Sequence, residues 1–187
     1  DIEDDAVLSR DALRLALWFY ETHGGPLSDY TLLSMCNHRD YGNGHNPNVE
    51  EDPSYLAESV HLTSPYAWCV SKYQWDFVSC TWNCKKSLPS GWDWSLSFSM
   101  RMEKRRGLHP ILSRCTNIGR LYGENTHPAM HDQMEVGMEH SDGSYTGPYK
   151  VVARLLPGEI DKQEDWVKLE LGLQKELADG ALPADQS

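Results

Sequence analysis

The sequence of 187 residues predicts an α/β or mixed α+β fold that is built from layers of strands and helices. Short apolar runs bounded by polar residues, typical of buried strands, occupy 30–36 and 149–156. Apolar residues at helical spacing occupy 9–23 and 165–178. Segments of the two kinds alternate along the chain, and this order is characteristic of layered α/β architectures.

The remaining elements follow from caps, breakers and turn residues. Ser9 or Asp11 can cap the first helix, and Gly24 with its neighbours ends it. The first seven residues are predicted to be the end of a strand or the loop after one. Further predictions are a loop at 37–54, a strand pair or a strand and turn at 61–70, and a strand at 109–114. Helices are predicted at 75–82 and 93–106, with a helix stop at Gly107, and a loop is predicted at 117–147.

The charge balance excludes one class of function. There are 17 Lys and Arg residues against 28 Asp and Glu residues, which gives a formal net charge of −11. A nucleic-acid groove needs a basic face, so no nucleic-acid partner is expected. An acidic protein suits a bound divalent cation, although surplus carboxylates also simply increase solubility. No apolar run approaches the roughly 18 residues of a membrane span.

Cysteine usage bears on the compartment. The five cysteines do not resemble the dense framework of a small secreted domain, so buried or free thiols are expected. Cys80 and Cys84 are spaced closely enough to form a disulfide or bind a metal, but no second pair completes a zinc site. This pattern favours a reducing cytoplasm, with the Golgi or secretory lumen as the alternative.

The strongest local feature is the acidic triplet Glu3-Asp4-Asp5. Adjacent carboxylates repel one another, so they need either a cation or full solvation. Their oxygen atoms suit Mg²⁺ or Mn²⁺, which bridge phosphates and help a diphosphate to leave. The alternative is a solvated turn that is favoured by the positive end of the following helix.

Two segments resemble GT-A glycosyltransferases, especially inverting enzymes of the N-acetylglucosaminyltransferase type. Residues 3–13, then a helix, then 32–37 are similar to the metal-motif segment of that family, with Arg10 where members often have Pro. Gly91-Trp92-Asp93-Trp94, then a helix, a Pro-containing strand and Asn117-Ile118-Gly119, is similar to the acceptor-side segment. The two matches occur in the family order and together cover about residues 1–130.

The resemblance implies a GT-A-like mixed sheet and a metal-dependent transferase with a motif of the DXD type. Such an enzyme moves a hexosyl or N-acetylhexosaminyl group from a nucleotide-sugar donor to a glycan or other hydroxyl acceptor, with Mn²⁺ or Mg²⁺. By position, Asp5 would bind the metal, and Glu3 and Asp4 would lie near the ribose and the sugar. Asp93 would be the general base that deprotonates the acceptor. Its alternative role is a helix N-cap.

The loop at 119–131 supplies two further candidates by the same resemblance. His127 would complete the metal shell or contact the diphosphate. Arg120 would neutralise phosphate charge and so bind the donor. The alternative is a plain surface loop, which is the favoured interpretation for His131. A zinc site built from His127, His131 and a cysteine lacks any recognised spacing.

The predicted organisation is a GT-A-like catalytic domain at 1–156, covering the metal and acceptor sides, and a C-terminal amphipathic helix and tail at 157–187. In the family, a nucleotide-binding half precedes the acidic triplet, and the present sequence begins at the triplet. The expectation is therefore that a partner chain or a separate segment supplies that half. Without it, donor binding should be weak and a sheet edge should be exposed.

Two other functions compete with glycosyl transfer. A non-catalytic module derived from a glycosyltransferase would bind a glycan or a protein through the seven Trp and nine Tyr residues without a metal. A metal-dependent hydrolase would use the acids with His127 and His131, but these groups lie far apart in sequence without a hydrolase motif between them. Loss of donor turnover on replacing Asp5 would separate the first alternative from a transferase.

Overall fold

Strands and helices alternate through most of the chain in the computed structural model. The strands are β1 (Ala6–Leu8), β2 (Tyr30–Ser34), β3 (Tyr55–Ser59), β4 (Trp68–Val70), β5 (Arg106–Pro110), β6 (Cys115–Asn117) and β7 (Lys150–Ala153). The helices are α1 (Ala12–His23), α2 (Lys72–Asn83) and α3 (Pro128–Glu135). The structure describes residues 2–37, 52–59, 66–83, 96–97, 99–100, 103–119, 128–135 and 140–153.

Five strands form a mixed sheet in the order β4-β2-β5-β3-β7. Strand β2 runs parallel to β5, and β3 runs parallel to β7. The pairs β2–β4 and β3–β5 are antiparallel. A second sheet has two antiparallel strands, β1 and β6, with Ala6 opposite Asn117. The prediction of a mixed α/β protein is therefore confirmed.

Helices cover both faces of the large sheet because β2 is apolar on both sides. Leu33 packs in a cluster with Leu15 and Phe19 of α1. Its neighbour Leu32 packs in a second cluster with Val78 of α2. Successive side chains of a strand point to opposite faces, so one strand serves both clusters. This explains why the adjacent residues Leu32 and Leu33 are both apolar and buried, instead of one facing solvent.

A buried ion pair joins the start of α1 to the start of β6. Arg114 Nε donates to Asp11 Oδ2 at 3.0 Å, and the two side chains are 0% and 1% exposed. Burial acts to raise the pKa of Asp11, but hydrogen bonds from Ser9 and Ser141 and the charge of Arg114 hold it below its usual range. Arg114 also donates to the carbonyls of Leu112 and Pro53. The pair therefore fixes the start of α1 against the start of β6.

Several predicted elements are confirmed and several are wrong. The first helix, the strand at 30–36, the helix near 75–82 and the strand beginning near 149 are present, although Asp11 makes no capping hydrogen bond from its side chain. The acids at 3–5 lie before β1, and residues 6 and 7 belong to that strand instead of to a strand end or the loop after one. Gly107 lies inside β5 and is not a helix stop. Strand β3 and helix α3 were not predicted.

Other predictions lie outside the described residues and stay predictions. These are most of the loop at 37–54, the first half of the strand at 61–70, the boundary at 156, and the C-terminal helix at 165–178. Of the cysteines, Cys36, Cys69 and Cys115 are free thiols, and Cys36 and Cys115 are buried. Within the ranges given above, no helix is long and apolar enough to cross a membrane.

Tyr30 should ionise late, and its neutral form should stabilise the fold. Its hydroxyl donates to Glu58 Oε1 at 2.5 Å, while Arg106 holds Oε2 of the same carboxylate at 3.0 Å. Burial and the hydrogen bond to Glu58 raise the pKa of Tyr30 to about 12. Because the folded pKa exceeds the unfolded value near 10, this contribution is complete below pH 10 and is lost as the pH rises toward 12.

A titration of tyrosinate absorbance checks this expectation. The step near pH 12 should be smaller by one tyrosine in Tyr30→Phe than in the wild type, while the late ionisation of the buried Tyr149 remains in both. The control is Tyr20→Phe, which removes a tyrosine that is 63% exposed and should leave that step in place. A Tyr30→Phe protein that keeps the full step would show that the Glu58 contact does not control this ionisation.

Candidate functional site

The acidic triplet forms a turn that is fixed at both ends by backbone pairing. Ile2 bridges to Ala67 in antiparallel fashion, and Glu3 N donates to Tyr66 O at 2.9 Å. Ala6 N then donates back to Glu3 O at 3.1 Å, which closes the turn before β1 begins. The triplet therefore lies in a turn at the end of the two-stranded sheet where β1 begins.

The last acid of the turn lies against the segment that follows β6. Ile118 N donates to Asp5 O at 2.7 Å, which extends the pairing of β1 with β6 by one bond. The Asp5 carboxylate lies directly over Gly119, since a Cβ added to Gly119 would stand 2.1 Å from Asp5 Oδ2. The structure thus brings together Asp5 and the Asn117–Gly119 segment, which belong to the two separate motifs recognised in the sequence.

Two side-chain atoms of Asp5 and Asn117 lack hydrogen-bond partners among the described residues. Asp5 Oδ1 is shielded from solvent and accepts no hydrogen bond from any described residue. Asn117 is 2% exposed, and its Nδ2 is also shielded and finds no acceptor in the described part of the chain. Buried polar atoms are rarely left unpaired, so these two atoms make the contact a candidate site.

His131 also contacts the segment Asn117–Gly119, through a hydrogen bond to the backbone of Asn117. Helix α3 carries it, and its Nε2 lies 2.9 Å from Asn117 O. A backbone carbonyl only accepts, so Nε2 carries the proton of this bond. The favoured sequence interpretation placed His131 in a plain surface loop, with a metal-binding role only in the hydrolase and zinc-site alternatives. A usable signal was Pro128, because proline is favoured in the first turn of a helix and so marks the start of α3.

Of the remaining predicted site residues, the structure describes only Glu3 and Asp4. Asp4 is exposed and Glu3 is partly buried, and neither approaches Gly119 as Asp5 does. Among the described ranges, no three His, Cys, Asp or Glu side chains converge on one point. Asp93, Arg120 and His127 lie outside the described residues, so their roles stay predictions.

Comparison with known proteins adds no family assignment, because neither a protein-family model nor a curated protein matches the sequence. The fold and the site define the class only as a mixed α/β protein. In that protein an acidic turn, ending at Asp5, packs against the segment Asn117–Gly119.

Proposed function

We propose that this protein is a metal-dependent glycosyltransferase that moves a sugar from a nucleotide-diphosphate sugar to a hydroxyl acceptor. The observation that carries the proposal is the contact between Asp5 and Gly119. The resemblance to GT-A enzymes rests on two segments that are far apart in the sequence. Their contact through β1 and β6 is what a shared site built from both segments requires.

The Asp5 carboxylate suits a divalent cation. Its Oδ1 is shielded and has no hydrogen-bond donor, and Asp5 forms no ion pair with any Lys or Arg in the described part of the chain. A partly buried carboxylate without positive charge nearby is unfavourable, and a hard cation removes that penalty. With one protein carboxylate, the cation would take its other ligands from water and substrate phosphate, as Mg²⁺ sites commonly do.

The bound cation would supply positive charge to the leaving diphosphate. The chain supplies the groups around it. Asp5 holds the cation. Glu3 and the exposed Asp4 lie in the same turn and face the donor. In the proposal, Asp93 accepts the proton of the attacking hydroxyl, while Arg120 and His127 bind the phosphates.

The proposal predicts that Asp5→Asn abolishes Mn²⁺ binding and donor turnover. The amide keeps the shape of the carboxylate but removes the charge that binds the cation. Since changes beside metal ligands already reduce affinity by about 10–100-fold, loss of the ligand itself should reduce it by at least about 100-fold. Titration calorimetry with Mn²⁺ measures binding, and release of nucleoside diphosphate from a panel of nucleotide sugars measures turnover.

The control is Asp76→Asn, which removes the same charge from an exposed position on α2. It should leave both readouts unchanged. Equal Mn²⁺ binding in the wild type and Asp5→Asn would contradict the proposal. Glycan binding that is independent of Mn²⁺ and of Asp5 would instead indicate the non-catalytic module. Hydrolysis of simple phosphodiesters without an acceptor would indicate the hydrolase.

A further inference from the structure

A shielded donor and a shielded acceptor belong to the two side chains that lie nearest to Gly119. Asn117 Nδ2 can donate and Asp5 Oδ1 can accept, and neither has a partner among the described residues. Asn117 Oδ1 and Asp5 Cγ each lie 3.0 Å from the point where a Gly119 Cβ would stand. Because both atoms are shielded from water, a hydrogen bond between them would satisfy both at once.

The orientation of the Asn117 amide is fixed by its other bonds. Gly119 N donates to Asn117 Oδ1 at 2.7 Å, so this atom must be the oxygen. The backbone oxygen of Asn117 accepts from His131 Nε2 at 2.9 Å. The side-chain oxygen and the backbone oxygen of Asn117 therefore both accept hydrogen bonds. Only the Nδ2 group is left to donate to a neighbouring acceptor.

From this geometry we infer that Asn117 is a positioning residue for Asp5, an inference that rests on the proposed function. Nδ2 donates to Asp5 Oδ1 when Oδ2 binds the cation, so that one carboxylate serves both partners. A hydrogen bond to the second oxygen of a metal-binding carboxylate fixes its direction, and loss of such bonds typically weakens metal binding by about 10–100-fold. The Asn117 side chain itself does not touch the cation.

The competing explanation is that Asn117 only stabilises the turn at Gly119. Asn117→Ser separates the two roles, because a serine hydroxyl can still accept from the amide two residues on but is too short to reach Asp5. Asn117→Thr is a second variant that keeps the hydroxyl and favours the strand. The positioning role predicts that the Kd for Mn²⁺ rises by about 10-fold in both variants, with the fold retained by circular dichroism.

The matched control is Asn37→Ser. Asn37 is also 2% exposed, and its Nδ2 donates to Ile111 O at 2.9 Å, away from Asp5. This variant loses a buried amide of the same kind, so it should destabilise the fold without changing the Kd for Mn²⁺. A general effect of instability would weaken Mn²⁺ binding in the control as well, and that result would overturn the inference.

Titration calorimetry of the full chain with Mn²⁺ alone decides between the outcomes. Loss of binding in Asp5→Asn and a weakened Kd in Asn117→Ser or Asn117→Thr support both proposals. Loss in Asp5→Asn with a wild-type Kd in the Asn117 variants overturns the positioning role and leaves the proposed function intact. Wild-type binding in Asp5→Asn overturns the proposed function, and the role of Asn117 falls with it.

Discussion

Replacing Arg114 with methionine should lower the free energy of unfolding by about 3–5 kcal/mol, the range seen when one partner of a buried ion pair is removed. Arg114 and Asp11 are almost fully buried, so the substitution leaves a buried carboxylate without its cation. The carbonyls of Pro53 and Leu112 lose their donors as well. Urea denaturation with linear extrapolation measures the change.

An exposed ion pair provides the control for this experiment. Lys72 and Asp76 lie one turn apart on α2, with side chains 83% and 59% exposed. Because solvent screens such a pair, Lys72→Met should change the free energy of unfolding by less than about 1 kcal/mol. If Arg114→Met also changes it by less than about 1 kcal/mol, the claim that this pair fixes α1 against β6 is wrong.

The second large effect is expected from Gly119→Ala. The added Cβ would stand 2.1 Å from Asp5 Oδ2, a separation that forces the carboxylate to move. Gly119 is not among the described residues with a positive φ, so the requirement is for space and not for an unusual backbone conformation. We expect the affinity for Mn²⁺ to fall by about 100-fold and stability to fall by about 1–3 kcal/mol, as overpacked sites do.

Gly25→Ala is the matched control, since a Cβ at Gly25 would meet no atom within 4 Å. It should change neither the Kd for Mn²⁺, measured by calorimetry, nor the urea midpoint by more than a small amount. A Gly119→Ala protein that binds Mn²⁺ as tightly as the wild type would show that the position of the Asp5 carboxylate does not matter for the cation.

Local patterns were sufficient to predict much of the fold. The 3.6-residue period of α1 and the apolar residues of β2 can both be recognised in the sequence without knowledge of the tertiary structure. Strand β3 was missed because Glu58 interrupts its apolar character. That charge is tolerated inside the sheet because Tyr30 and Arg106 bond to it, and neither partner is near it in sequence.

The candidate site was predictable only in part for the same reason. Asp5 was identified from its neighbours in the triplet, and Asn117–Gly119 was recognised as a motif without a chemical role. Their contact depends on the antiparallel register of β1 with β6, which no local pattern specifies. The role of His131 depends on the contact of α3 with Asn117, so Pro128 could mark the start of the helix but the sequence could not reveal what His131 bonds to.

The central claim is that Asp5, over Gly119, holds the cation that assists a leaving diphosphate. The most direct measurement is anomalous diffraction from crystals that contain Mn²⁺ and a nucleoside diphosphate. The account predicts a Mn²⁺ peak at about 2.0–2.2 Å from Asp5 Oδ2, with phosphate oxygens completing its shell. A Mn²⁺–nucleotide complex bound elsewhere, with the Asp5 carboxylate bare, would contradict it.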